Sequence, residues 1–202
     1  HVVGEVEKRK MPMEIALLPM IESAYNPIAT SRKKAAGMWQ FIPSTGKIYG
    51  LKQNWWVDER RSVIESTNAA LNYLEKLYKE FGSWELALAS YNAGEGRVGR
   101  AIKRNKRNKK ATGYYNLRLP RETKNYVPKL FAMKNIISNP SKYGLTLPSI
   151  KNRPYFEDIE VSENIDTQLI ARLAEISIEE FQLLNPQHKR PVINVKDAPE
   201  KI

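Results

Sequence analysis

VIESTNAALNYLEKLYKEF, residues 63–81, is the stretch that decides the fold class. Thr67, Ala70, Leu71, Leu74, Leu77, Tyr78 and Phe81 recur at spacings of three and four, the period of a helix with one buried face. Gly82 follows where such a helix should stop. Working outward, a shorter helix is expected over 84–91, ending against YNAGEG, and the chain reads as helical again from Glu95 to Arg104. From Glu122 to Asn139 another helix offers Val127, Leu130, Phe131, Met133 and Ile137 to a core, with Pro128 near its first turns, where it costs least. No strand-like alternation interrupts these segments, so this part of the chain is mostly α.

Upstream, KRKMPMEIALLPMIESAYNP, residues 8–27, reads as a helix starting near Pro12, kinked at Pro19 and stopped around Pro27. Ile15, Leu18, Met20, Ile21 and Tyr25 are its apolar contacts, and Glu22 falls near its C-terminal end. A basic linker, TSRKKA, leads into GMWQFIPSTGKIYG, residues 37–50. There Gly37, Pro43, Gly46 and Gly50 punctuate two short helical pieces, the second capped by Ser44 or Thr45. A tryptophan pair, Trp55 and Trp56, and a charged turn, DERR, complete the segment.

Downstream, Pro148 and Pro154 in YGLTLPSIKNRPYF mark a linker. The tail then reads as strand (156–162), helix (166–176), helix (178–185) and strand (191–196). Two domains are expected, residues 1–148 and 149–202. Charge divides the same way: residues 1–150 carry 26 basic and 12 acidic groups, while 151–202 carry 7 and 10. A polyanionic partner is therefore expected for the first part only. Residues 97–110 concentrate the effect, with eight Arg or Lys and no acid.

Several chemistries are excluded. There is no cysteine, so thiolate catalysis, disulfides and cysteine metal sites drop out. The two histidines, His1 and His188, lie at opposite ends outside any metal-ligand spacing, so neither a metal nor a cofactor is expected. No phosphate loop or dinucleotide fingerprint is present. No apolar run reaches the roughly 18–20 residues that cross a bilayer. Because His1 is no initiator, the sequence is expected to be a trimmed piece of a longer protein.

Among the twelve acids of the first part, Glu22 stands apart. LLPMI precedes it and an aromatic follows at Tyr25, and apolar surroundings raise a carboxyl's pKa toward the range a general acid needs. Local sequence alone equally allows a helix-end glutamate satisfied by a backbone amide or an arginine. Glu95 and Glu122 are explained by helix-start chemistry. Tyr25, Trp39, Phe41, Trp55, Trp56, Tyr91, Tyr114, Tyr115 and Tyr126 could stack on sugar rings or on nucleobases, or pack a core.

Four blocks then carry a resemblance. IESAYNPIATSRKKAAGMWQFIPSTGKIYGL resembles the ES motif and the G-x-x-Q-x-x-P-x-T-G block of the family 1 lytic transglycosylases, whose SLT domain has a goose-type lysozyme-like fold. ALASYNAGEGRV resembles their A-x-x-YN-x-G block, and LPRETKNYVPKLFA their ET-x-x-YV block. The resemblance implies a mostly α, lysozyme-like domain with Glu22 as its catalytic acid and base. It implies that Ser31 and Gln40 meet the sugar with polar groups, that Met38 and Ile42 are apolar walls, and that Tyr91 and Asn92 line the cleft. Glu122 matches the acid of the last block, and Tyr126 the tyrosine that holds the glycan or the catalytic carboxyl.

The reaction so implied is non-hydrolytic cleavage of the β-1,4 bond between N-acetylmuramic acid and N-acetylglucosamine in peptidoglycan, leaving 1,6-anhydro ends. The basic 97–110 stretch would suit a polymer bearing lactyl and peptide carboxylates. The rival readings are a hydrolytic goose-type muramidase and a basic nucleic-acid-binding helical protein, though no finger, RNP or GXXG signature supports the latter. The tail resembles a LysM-like βααβ module, with ENID where that module's G-D-T opening would stand. It is expected either to contact N-acetylglucosamine or to act as a structural clamp. The implied location is the bacterial periplasm, outer-membrane associated through a lipidated leader outside this sequence.

Overall fold

The computed structural model describes residues 1–151, 156–195 and 199–202. The chain divides into two compact units. One comprises residues 2–21 and 70–148; the other comprises 22–69 with 149–202, and His1.

In the first unit, α1 (Val2–Lys8) buries Val2 and Val6 and packs on a 3-10 turn, Met13–Leu17. The sequence reading leaves α1 unassigned, because seven residues are too few to show a period. The helix expected from Pro12 is in fact two pieces, the 3-10 turn and α2 (Leu18–Ser23). The break has a simple cause: Pro19 is the second residue of α2, a first-turn position where its missing N–H costs nothing.

The long helix α4 (Val63–Phe81) runs as expected. Leu71, Leu74 and Leu77 on its repeating face are wholly buried. Ser83 caps α5 (Trp84–Ala93) by accepting from the Leu86 N–H, and Gly94 joins α5 to α6 (Glu95–Arg107) with φ 87°, a turn open to glycine. The helix α7 (Arg121–Ser138) packs on α5 and on the 3-10 turn. Pro128 lies in its third turn rather than its first, so the Lys124 carbonyl loses its helical donor there.

In the second unit, residues 37–50 form one helix, α3 (Pro43–Ile48), not two. Pro43 starts it, Ile42 stands at the cap, and neither Ser44 nor Thr45 caps it. The tail is more elaborate than one strand at each end. β1 (Glu160–Val161) pairs antiparallel with β4 (Glu200–Lys201), and β2 (Ile165–Asp166) with β3 (Val192–Ile193). Between them lie α8 (Thr167–Leu173), capped by Asp166, and α9 (Ile178–Leu184), capped by Ser177. Ile170, Ala171, Phe181 and Ile193 form the small core. Pro154 of the expected linker and Lys196 of the expected last strand lie outside the described residues.

This module is tied to residues 52–58 by backbone pairing. Val57 and His188 form an antiparallel bridge, Asp58 N–H donates to Gln187 O at 2.9 Å, and Lys189 N–H donates to Trp56 O at 2.9 Å. Lys52 pairs with Glu200 at 3.2 Å, and the Arg190 guanidinium sits 3.6 Å from the Trp55 ring centre. An exposed tryptophan and a charged turn thus mark a docking edge.

Candidate functional site

Glu22 is half-buried in the last turn of α2, and Ser23 beside it donates through Oγ to Met38 O at 3.0 Å. That bond ties the end of α2 to the loop carrying the next candidates. The chain then reverses through Ala24 (φ 53°) and Tyr25 (φ 61°), two consecutive residues in the left-handed region that side chains disfavour. Strain of this kind persists only where surrounding structure enforces it, and it concentrates at functional sites. Tyr25 keeps 36% of its surface exposed, yet the burial of the rest pushes its phenol pKa up.

Ser31 closes a short turn: its Oγ accepts from Lys33 N–H at 3.2 Å and Ala35 N–H at 3.1 Å, which leaves its O–H to donate. Gln40 is also left-handed (φ 52°), and its Nε2 donates to Gly37 O at 2.8 Å and Ala29 O at 3.4 Å. Its amide oxygen is the part left for a ligand. Met38 is buried to 2% exposure, so its side chain packs while its carbonyl holds Ser23. Ile42 is 44% exposed and offers the apolar surface instead.

The loop hangs on a group that sequence reasoning missed. Arg60, read only as part of a charged turn, is buried and grips Asp58 with two parallel bonds, Nε to Oδ1 at 2.8 Å and Nη2 to Oδ2 at 2.7 Å. Its Nη1 donates to Lys34 O at 2.8 Å and Phe41 O at 3.1 Å, spanning the loop from both ends. The close fit explains Gly37: a Cβ there would stand 1.7 Å from Arg60 O, and φ is +82°. Trp39 is fully buried and donates from Nε1 to Thr67 Oγ1 at 3.0 Å, so this aromatic belongs to the core.

The remaining candidates lie in the other unit. Asn92 on α5 donates from Nδ2 to Glu122 Oε1 on α7 at 3.1 Å, while Thr123 Oγ1 donates to Asn92 Oδ1 at 2.8 Å. The asparagine of one motif therefore clasps the Glu-Thr pair of another. Tyr114 Oη donates to Thr123 O at 2.6 Å and steadies the same helix start. Tyr91 is half-buried with its ring 5.5 Å from that of Tyr73, and Tyr126 is buried to 4% exposure. Glu95 answers to its structural reading, pairing with Lys76 at 2.8 Å in the first turn of α6.

A cavity of about 820 Å³ lies elsewhere. Val57, Val63, Ile170, Phe181 and Ile202 line it between the 50–65 segment and the C-terminal module, and no candidate site residue reaches it. Volume alone does not make it the chemical centre, since the strained, motif-bearing loop is elsewhere. Among the described residues no group of three or more His, Asp or Glu side chains could hold a metal ion, and no helix is long and apolar enough to cross a membrane.

The Transglycosylase SLT domain family matches residues 4–113, more than half of the chain. The chain belongs to the SLT transglycosylases. A second family, the LysM-like domain of the lytic transglycosylase MltD, matches residues 155–202 of this SLT protein. It is 47% identical to membrane-bound lytic murein transglycosylase D of Escherichia coli K12 over 185 residues, covering 91% of this chain and 41% of the relative. The chain thus spans less than half the length of that relative. Among solved structures it resembles the 70 kDa soluble lytic transglycosylase of Escherichia coli, at 26% identity and a TM-score of 0.52 over 64% of this chain and 23% of that one. The lytic transglycosylase Slt of Pseudomonas aeruginosa, at 22% identity and a TM-score of 0.51 over 72% of this chain and 24% of that one, shares the fold. The mostly helical, lysozyme-like architecture expected from the motifs is the one these SLT relatives have, and the nucleic-acid-binding reading gains no support from them.

Proposed function

We propose that this SLT protein is a lytic transglycosylase that cleaves the β-1,4 bond between N-acetylmuramic acid and N-acetylglucosamine without water, with Glu22 as acid and then base. The observation that carries the reading is Glu22 itself. The Glu-Ser pair of the ES motif ends α2 immediately before two left-handed residues, with Ser23 bonded to the Met38 carbonyl.

Protonated Glu22 donates to the glycosidic oxygen as the bond from that oxygen to muramyl C1 breaks, and the muramyl acetamido oxygen steadies the cationic centre. Ionised Glu22 then takes the proton of the muramyl C6 hydroxyl while O6 bonds to C1. The ring supplies its own nucleophile, so proximity replaces the second carboxylate that hydrolytic glycosidases use. Ser31, Gln40 and Ile42 contact the sugars from the loop, with Met38 as packing beneath; Tyr91, Asn92, Glu122 and Tyr126, on α5 and α7, are the further glycan-binding candidates.

Residues 1–148 form the catalytic part and 149–202 a linker and a LysM-like module with N-acetylglucosamine as its candidate ligand. The place of work is the periplasmic side of the cell envelope, at the outer membrane, in keeping with the membrane-bound relative. The test is digestion of purified glycan strands by the wild type and by Glu22→Gln. Mass spectrometry should find 1,6-anhydro muramyl ends from the wild type and none from the variant; reducing muramyl ends alone would mean a muramidase.

A further inference from the structure

We infer that an arginine-lined hollow on α6 is a subsite for the carboxylates of peptidoglycan stem peptides, separate from the residues that meet the sugars. The inference rests on the peptidoglycan reading above and adds what part of the polymer is recognised.

Arg97, Arg100 and Arg104 recur along α6 at the spacing that puts them on one face, within about 10 Å along the helix axis. The adjoining face, with Val98, Ala101 and Asn105, is buried. Arg118 joins them from a different segment, and the four arginines, with Ala101, line a hollow of about 320 Å³.

Its position is built, not incidental. Asn105 donates from Nδ2 to Ala111 O at 2.8 Å and to Asn116 O at 2.9 Å, folding the 111–117 loop back on α6. The Tyr114 bond to Thr123 O anchors the far side of that loop. Arg118 is thereby held against the helix.

Four like charges around one hollow repel each other unless an anion enters. Glu95, the one acid of α6, is engaged by Lys76. None of the four guanidiniums has an ion pair or hydrogen bond among the described residues. Planar guanidinium forks match carboxylates and phosphates in pairs of bonds, and four of them suit a ligand with closely spaced anionic groups. No aromatic ring lines the hollow, so it lacks the stacking platform that single-stranded nucleic acid uses. The glycan of the proposed substrate carries peptides with several carboxylates, which is the anion such an enzyme meets.

The test uses the full chain in a Glu22→Gln background, so that bound strands are not cut. Arg100→Gln with Arg104→Gln should weaken binding to peptide-bearing sacculi about tenfold and leave binding to amidase-stripped, peptide-free strands unchanged. With Glu22 restored, turnover of peptide-free strands should also be unchanged, and thermal unfolding reports whether the variant remains folded. Equal loss on both substrates, or no loss on either, overturns the subsite. A loss of binding to anionic phospholipid vesicles, with none on sacculi, overturns it in favour of a phosphate surface. Should the wild type form no 1,6-anhydro ends, the catalytic reading fails, while the difference between peptide-bearing and stripped strands still judges the subsite.

Discussion

Two groups of candidate residues, the 22–41 loop and the α5–α7 helix pair, are held in place by different means. In the helix pair, regular backbone does the positioning: Asn92 and Glu122 meet because two packed helices bring them together, and one hydrogen bond of 3.1 Å joins them. In the loop, no regular element runs from Ala24 to Ile42. Four of its non-glycine residues, Ala24, Tyr25, Lys34 and Gln40, have positive φ, and a single buried arginine ties its carbonyls. A helical site tolerates the loss of one contact because its neighbours remain. A strained loop depends on the few groups that enforce it.

The sharpest way to break this contrast is to change one acid in each region. Glu22→Gln should lower glycan cleavage by about 10²–10⁴-fold, the usual worth of a general acid and base, with little change in thermal unfolding. Glu122→Gln keeps an acceptor oxygen for Asn92 and should cost less than about tenfold. Equal losses measured on the same strands would mean that the chemistry needs both acids, and the single-glutamate reading would fail.

The next largest effect belongs to the loop's support. Arg60→Met leaves Asp58 buried and unpaired, and should destabilise the protein by about 3–5 kcal/mol in urea unfolding. Cleavage should fall with it even at temperatures where the variant stays folded, because Lys34 and Phe41 lose their shared donor. By comparison, Asn92→Ala in the helix pair should cost only about 1–2 kcal/mol, since Glu122 is exposed and can turn to water. If Asn92→Ala proved as damaging as Arg60→Met, the helix pair would be no more tolerant than the loop.

The smallest expected effect separates the regions by pH. His188 pairs by backbone with Val57, next to Asp58, and its burial pushes its pKa below the ordinary 6.5. A depressed histidine binds fewer protons folded than unfolded, so its support is complete above about pH 6.5 and is lost as pH falls through the folded value. Unfolding temperatures measured between pH 7.5 and 5 should decline for the wild type and decline less for His188→Gln. No difference between the two would remove His188 as a pH-sensitive part of the dock.

These contrasts also explain what could be read in advance. The helices α4 to α7 were legible because each repeats its apolar residues often enough to show a period. α1, seven residues long, was not; α2 was read only as part of a longer helix from Pro12, and of the two-residue strands of the tail β1 and β3 fall within expected strands while β2 and β4 carry no alternation to detect. Met38 and Tyr126 show what motif matching leaves to the structure. The resemblance places both at the cleft; the structure adds that they are buried, at 2% and 4% exposure, and that Met38 holds Ser23 through its carbonyl. Arg60 and Thr123 went unread because a charged turn and a helix start both have ordinary solvent-exposed explanations, and nothing local distinguishes a buried arginine from an exposed one.

The sequence by itself determined the helical class and the order of the motifs, because periodicity and spacing are properties of neighbours along the chain; Glu22 became the candidate through the resemblance those motifs carry. Only the tertiary structure decided why Gly37 must be glycine, which carbonyls Arg60 holds, how Asn92 joins two motifs, and that four arginines converge on one unneutralised hollow. Each of those depends on residues that are distant in sequence and share a few cubic ångströms. Their coincidence is set by packing and by the burial of polar groups, and no run of consecutive residues records it.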